Sequence, residues 1–164
     1  MSDPRVGLGW DIHRLEADPS TDAGIMLAGV RVACPYRVIA HSDGDVVLHA
    51  ICDGILGALG AGDLGEYFPD TDAVHRGCDS AWFVAQVLAL PAMQGWRLAS
   101  LDVNIIAQAP RLMERKPAMR ARLSALLGLP ADRCGLKART HEGVDAVGRK
   151  EAIIAQAVVL LVTR

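Results

Sequence analysis

The spacing of hydrophobic and polar positions changes several times along the chain, and each change marks an element. Val6 to His13 reads as a strand, and Ile25 to Val32 as a second extended segment folded into a hairpin at Ala28-Gly29. After residue 42 the period lengthens. Val47, Ile51, Ile55 and Leu59 recur every four residues as an apolar helical stripe, while Asp45, His49 and Asp53 recur every four on the opposite face. Ser42 is the expected cap of this helix, with Asp45 three residues on completing a capping box. A second helix is expected from Asp79 or Ser80 to the Pro91 region. Leu101 to Ala107 alternates as a strand with Asp102 and Asn104 on one side. Pro117 suits the first turn of a third helix that Gly128 closes, with Met119, Leu123, Leu126 and Leu127 as its apolar face. Gly135 to Thr140 and Ala152 to Val162 read as closing strands. The predicted architecture is a single α+β domain over residues 1–164, a mixed sheet with helices packed on one face.

Composition narrows the function classes. With 17 basic and 19 acidic side chains the chain lacks the basic excess of a nucleic-acid binder, so an anionic ligand must be met locally. The longest apolar run, Ala152 to Val162, is broken by Gln156 and too short to span a bilayer. Met1, Ser2, Asp3, Pro4 and Arg5 lead into no apolar signal segment, so a soluble cytoplasmic protein without membrane partners is expected. Cys34, Cys52, Cys78 and Cys134 form no C-x-x-C pair and read as free thiols of a reducing compartment. Hydrophobic residues make up 51% of the chain, mostly Ala, Val, Leu and Ile, more aliphatic surface than one small globule readily buries.

Several clusters can carry chemistry. Asp11 and His13, two apart on a strand, share a face and offer a carboxylate and an imidazole. Alone such a pair is either a surface pair or half a zinc site; His49 on the polar helix face is a candidate third ligand, leaving a fourth position open as in catalytic zinc sites. Asp53, one turn along, is placed to fix the His49 tautomer. His41-Ser42-Asp43-Gly44-Asp45 precedes the helix and reads either as a phosphate-binding corner or as a simple cap and loop. Asp63-Leu64-Gly65 and Phe68-Pro69-Asp70-Thr71-Asp72 suit hydroxyl recognition or a lid, or ordinary turns. Ala107-Gln108-Ala109-Pro110 presents small side chains and backbone groups that can read a base edge. Thr140-His141-Glu142 ends a strand with a hydroxyl and a carboxylate able to hold a second cation, magnesium or manganese.

Taken together, Asp11-Ile12-His13, AHSDGDVVLHA (residues 40–50), GDLGEYFPDTD (62–72), NIIAQAP (104–110) and THEG…GR (140–149) closely resemble the 2-C-methyl-D-erythritol 2,4-cyclodiphosphate synthase family, in the family's order from Val6 to Thr163. The resemblance implies a homotrimer with active sites between neighbouring subunits. It also implies cyclisation of a small-molecule diphosphocytidyl substrate with release of CMP in the non-mevalonate isoprenoid pathway. By position, Asp11, His13 and His49 correspond to the Zn2+ ligands and Glu142 to the ligand of a second divalent cation, Mg2+ or Mn2+. His41 and Thr140 correspond to transition-state stabilisers, and His41 and Ser42 to phosphate contacts. Asp63, Leu64 and Gly65 match the segment holding the erythritol hydroxyls, and Phe68, Pro69, Asp70, Thr71 and Asp72 the adjoining substrate loop. Ala107, Gln108, Ala109, Pro110, Arg111, Leu112 and Met113 match a cytidine pocket contributed by an adjacent subunit.

The chain departs from the family where small hydroxyl residues are replaced by Arg139 and His141 at substrate-binding positions, where Asp145-Ala146 replaces a Gly-Phe pair, and in Gly148-Arg149-Lys150-Glu151-Ala152. Arg149, a further ligand-binding position, and Glu151 match residues the family uses for an isoprenoid diphosphate in the trimer channel. A zinc-dependent phosphohydrolase and a catalytically silent trimeric isoprenoid-diphosphate binder are the competing readings.

Overall fold

The computed structural model describes residues 3–164; Met1 and Ser2, where the N-terminal reading began, lie outside the described residues. In chain order, four strands come first: β1 (Arg5–Ala17), β2 (Gly24–Leu27), β3 (Val30–Ala33) and β4 (Tyr36–Ile39). Helices α1 (Val46–Leu59), α2 (Leu64–Tyr67) and α3 (Ser80–Ala89) follow, then β5 (Trp96–Ile106), α4 (Lys116–Leu127), β6 (Cys134–Arg139), α5 (Asp145–Gly148) and β7 (Ala152–Thr163). The main sheet has the order β4-β1-β7-β5-β6 and is mixed: β5 and β6 run parallel and the other pairs antiparallel. A parallel pair needs a crossover, and α4 supplies it. The α+β domain expected from the sequence is thus present, and the long elements lie close to their predicted places.

Several elements differ from expectation, and the short α2, α5 and β4 were not expected as elements at all. β1 runs four residues past His13 because Arg14 to Ala17 pair with β4, a strand the alternation did not single out. β5 starts at Trp96 rather than Leu101, since its first residues pair with the end of β7 across a register shift at Leu98/Ser100. The cap of α1 is Asp45, not Ser42: the Asp45 carboxylate accepts the N–H groups of Val47 and Leu48 at 3.1 Å each.

Asp45 is also fully buried, not on a solvated face. The helix has no solvated face in its first half, because the sheet covers one side while α3 and the β2–β3 hairpin cover the other. The same carboxylate accepts the N–H of Ala28 at 2.9 Å and of Gly29 at 2.6 Å. Both turn residues have positive φ, 55° and 70°, as a tight two-residue hairpin requires, and Ala28 holds that conformation without a glycine's freedom. One side chain therefore caps α1 and anchors the hairpin. Burial pushes its carboxyl above the usual range, opposed by the N–H groups of Gly29, Leu48 and Ala28.

The two faces of β1 differ. Gly7, Gly9, Asp11 and His13 lie on the helix side. A Cβ at Gly7 would sit 1.9 Å from the Gly54 carbonyl oxygen, and one at Gly9 1.7 Å from that of Ala50, so α1 rests backbone to backbone on the strand. The opposite face carries Val6 and Leu8, 66% and 68% exposed, with Trp10, Ile12 and, on β7, Val158 also exposed. Part of the aliphatic excess noted in the composition lies exposed on this sheet face. Because the α1–β1 contact has no room for a methyl group, Gly9→Ala should destabilise the chain by about 1–3 kcal/mol. Urea unfolding of the two proteins checks this, and an unchanged midpoint would contradict it.

Candidate metal centre and substrate cleft

The close seating of α1 brings its first turn, where His49 is half-buried, beside the middle of β1. Asp11 Oδ2 lies 3.2 Å from His13 Nε2 and 3.1 Å from His49 Nδ1, and the two ring nitrogens are 3.0 Å apart. Tetrahedral ligation at about 2.0–2.1 Å separates donors by about 3.3 Å, so this near-equilateral triangle fits a single small cation with its fourth position open. Two imidazoles and a carboxylate form a group, found among the described residues, that could hold a metal ion. Burial lowers the His13 pKa from its ordinary 6.5, outweighing the opposing pull of Asp11, and so favours the neutral imidazole that a metal needs.

The remaining partners of His49 differ from the sequence reading. Asp53 does not fix its tautomer. Asp53 lies a turn farther along α1, and its Oδ1 accepts the Leu64 N–H at 2.8 Å, tying α1 to the start of α2. His49 Nε2 instead faces two hydroxyls, Ser80 Oγ at 2.9 Å and Ser42 Oγ at 3.2 Å. Ser80 is separated from His49 by 31 residues, and no local spacing could have connected them.

The triad opens into a cleft of about 620 Å³. His13, His49, His41 and Ser42 line one side, and Leu64, Gly65, Phe68, Pro69, Asp70 and Thr71 the other. His75 and Phe83, which the sequence did not single out, complete the wall; Phe68 packs against both, with ring centroids 5.7 and 5.2 Å away. His41 Nε2 is 3.0 Å from the Asp72 carbonyl oxygen, joining the two sides of the cleft. Asp63 and Asp72 are not among the lining residues. Their carboxylates cap local turns, accepting the N–H of Glu66 and of Val74 at 3.0 Å each.

The other predicted residues lie elsewhere on the subunit. Ala107, Gln108, Pro110, Arg111, Leu112 and Met113 line a separate depression of about 220 Å³ together with Arg139 and Thr140. Ala109 precedes Pro110 through a cis peptide and is not on the lining. Thr140 follows β6 directly, and three strand spacings, roughly 14 Å, separate β6 from β1 and the triad. Thr140 Oγ1 donates to Glu142 Oε1 at 3.2 Å, so this hydroxyl and carboxylate form a unit distant from Asp11. His141 Nδ1 is 2.8 Å from Asp145 Oδ2, and Arg149 pairs with Glu151 at 3.0 Å. Within one chain the site is therefore in two halves, with the ligand triad and phosphate corner in one and the base-reading segment in the other.

A mixed-sheet α+β domain with a carboxylate and two histidines that could hold a metal ion beside a cleft describes a class of candidate metal-site proteins, and comparison with known proteins makes the class specific. The chain belongs to the YgbB family, which it matches over residues 4–162. The 2-C-methyl-D-erythritol 2,4-cyclodiphosphate synthase of Chromohalobacter salexigens is 46% identical over 157 residues, 96% of this chain and 94% of that protein. Among solved structures, the bifunctional IspDF of Campylobacter jejuni superposes with a TM-score of 0.90 at 34% identity, covering 99% of this chain and 43% of that one. The Plasmodium falciparum IspF in complex with CDP superposes with a TM-score of 0.84 at 32% identity, covering 98% and 97%.

The lowered His13 pKa has a stability consequence. In metal-free protein at pH above 6.5, His13 is neutral whether folded or unfolded. As pH falls from 6.5 the unfolded chain protonates first, so stability declines until the folded-state value is passed and then levels off. His13→Gln should flatten that decline in a plot of urea midpoint against pH; an identical slope would remove His13 as its source.

Proposed function

We propose that this chain converts 4-diphosphocytidyl-2-C-methyl-D-erythritol 2-phosphate into 2-C-methyl-D-erythritol 2,4-cyclodiphosphate with release of CMP, as a phosphorus–oxygen lyase of isoprenoid biosynthesis. The observation that carries the reading is the Asp11–His13–His49 triangle, whose two histidines line a cleft together with His41, Ser42, Leu64, Gly65 and the 68–71 segment. Membership of the YgbB family supports it.

In this reaction an oxygen of the substrate's own 2-phosphate forms a bond to the β-phosphorus while the bond to the bridging oxygen breaks, and CMP leaves with the electron pair. The nucleophile belongs to the substrate, so no Ser or Cys nucleophile is needed, and the protein's work is alignment and charge neutralisation. Zn2+ at Asp11, His13 and His49, and Mg2+ or Mn2+ at Glu142, would neutralise charge on the phosphoryl oxygens. His41 and Ser42 hold the phosphate at the loop before α1, and His41 with Thr140 steadies the transferring group. Leu64 and Gly65 on the cleft wall, in the segment that Asp63 caps, take the erythritol hydroxyls, and residues 68–71, in the loop that Asp72 caps, line the cleft beside them. Residues 107–113 take the cytidine, with Arg139 and His141 beside it.

The division of these residues between two depressions supports a homotrimer in which one subunit's triad faces the next subunit's base pocket. The exposed row Val6, Leu8, Trp10 and Ile12 is the sheet face such an assembly would cover. Arg149 is held by Glu151 in the subunit, so an isoprenoid diphosphate in the trimer channel would have to compete for it. Among the described residues no helix is long and apolar enough to cross a membrane.

Purified protein incubated with the diphosphocytidyl substrate and divalent cations should yield cyclic diphosphate and CMP in equal amounts by phosphorus NMR. CMP with a linear product and no cyclic diphosphate would overturn the proposal in favour of a hydrolase. Glu142→Gln should retain zinc while the magnesium-dependent rate falls roughly a hundredfold or more. An undiminished rate would remove Glu142 from the mechanism.

A further inference from the structure

Ser80, the first residue of α3, belongs to neither the ligand set nor the phosphate corner, yet it is completely buried beside them. Its Oγ stands 2.9 Å from His49 Nε2, the ring nitrogen facing away from Asp11 and His13. A hydroxyl has one proton, and here a neighbouring carboxylate fixes where it points. Ser80 Oγ donates to Asp43 Oδ1 in a short hydrogen bond, and the Ser80 backbone N–H donates to Asp43 Oδ2 at 3.1 Å. A carboxylate only accepts, so the Ser80 proton is committed to Asp43 and the oxygen lone pairs face His49. When His49 Nδ1 gives its lone pair to a cation, Nε2 must carry the ring proton, and Ser80 is already arranged as its acceptor.

Ser42 Oγ is the other hydroxyl near Nε2, at 3.2 Å, but it accepts the Gly44 N–H and has no carboxylate to orient it among the described hydrogen bonds. Asp43, in contrast, is held from both sides. Its Oδ1 also accepts the Asp45 N–H at 3.2 Å, and its own N–H donates to the Cys78 carbonyl at 3.0 Å. The carboxylate thus joins the loop before α1 to the loop before α3.

We infer that Ser80 and Asp43 are positioning residues of the metal centre, forming a directed relay from His49 Nε2–H to the Ser80 hydroxyl to the Asp43 carboxylate. The relay fixes the His49 ring so that Nδ1 completes the ligand triangle, and it passes carboxylate charge to the ligand, raising its basicity. The inference rests on the triad's binding a cation, and it does not require the cyclisation chemistry to be right.

The test compares wild type with Ser80→Ala, Ser80→Thr and Ser42→Ala by two measurements independent of turnover. One is zinc affinity by competition with a chromophoric chelator; the other is solvent exchange of the His49 Nε2 proton in zinc-loaded protein by NMR. Ser80→Ala should weaken zinc binding about 10–100-fold and speed exchange of that proton, while Ser80→Thr, which keeps the hydroxyl, should stay close to wild type in both. Should Ser80→Ala fail to fold, slow exchange and tight zinc in wild type and Ser80→Thr still support the relay, and fast exchange in wild type overturns it. Unchanged zinc affinity in Ser80→Ala, or a loss in Ser42→Ala that Ser80→Ala does not show, overturns the inference alone. Failure of wild type to bind zinc overturns it together with the metal-centre reading.

Discussion

The seating of α1 directly on β1 is the contact on which the rest of this structure depends. Helices ordinarily stand off a sheet by the length of their side chains; here Gly7 and Gly9 on the strand leave no side chain between the two backbones, and Gly54 lies against them from the helix. The consequence is positional. His49 on the helix and Asp11 and His13 on the strand meet with donor atoms 3.0–3.2 Å apart, a spacing that an intervening layer of side chains would not allow. Asp45 then fixes the same helix at its other contact, by capping α1 and holding the hairpin turn with one buried carboxylate.

Around that fixed pair of elements the charge pattern follows a consistent rule. The carboxylates near the cleft are mostly committed to backbone N–H groups: Asp43 to Ser80 and Asp45, Asp53 to Leu64, Asp63 to Glu66, and Asp72 to Val74. They build loops and orient neighbours, leaving Asp11 as the carboxylate directed at the two imidazoles. In the proposed function, a chain with net charge -2 needs no basic surface for an anionic substrate, because a cation at the triad and donors at a helix entrance would meet it.

Much of the fold was legible because it is written in local periodicity. The Val47–Ile51–Ile55 stripe, the Ala28-Gly29 turn and the Gly128 helix stop all correspond to observed elements. What escaped was set by partners distant in the chain. β4 is four residues long and exists as a strand because β1 continues beside it. Ser42 has the side chain of a cap, but the helix begins three residues later, where Asp45 is buried against the hairpin. Asp53 has the right spacing to support His49, yet its carboxylate turns to an amide eleven residues ahead.

By itself the sequence determined the family, the order of the long elements and the identity of three converging side chains, Asp11, His13 and His49, because motif order and side-chain period are properties of the chain alone. Only the tertiary structure decided which groups share a neighbourhood. It placed Ser80 behind His49, gave Asp45 two structural tasks, and put most of the 107–113 segment and Thr140 in a depression apart from the triad. The physical reason is the same in each case: hydrogen-bond partners and cleft walls are chosen by distance in space, and a small-residue spacing such as Gly7 and Gly9 does not by itself say which backbone, here that of Ala50 and Gly54, will rest on it.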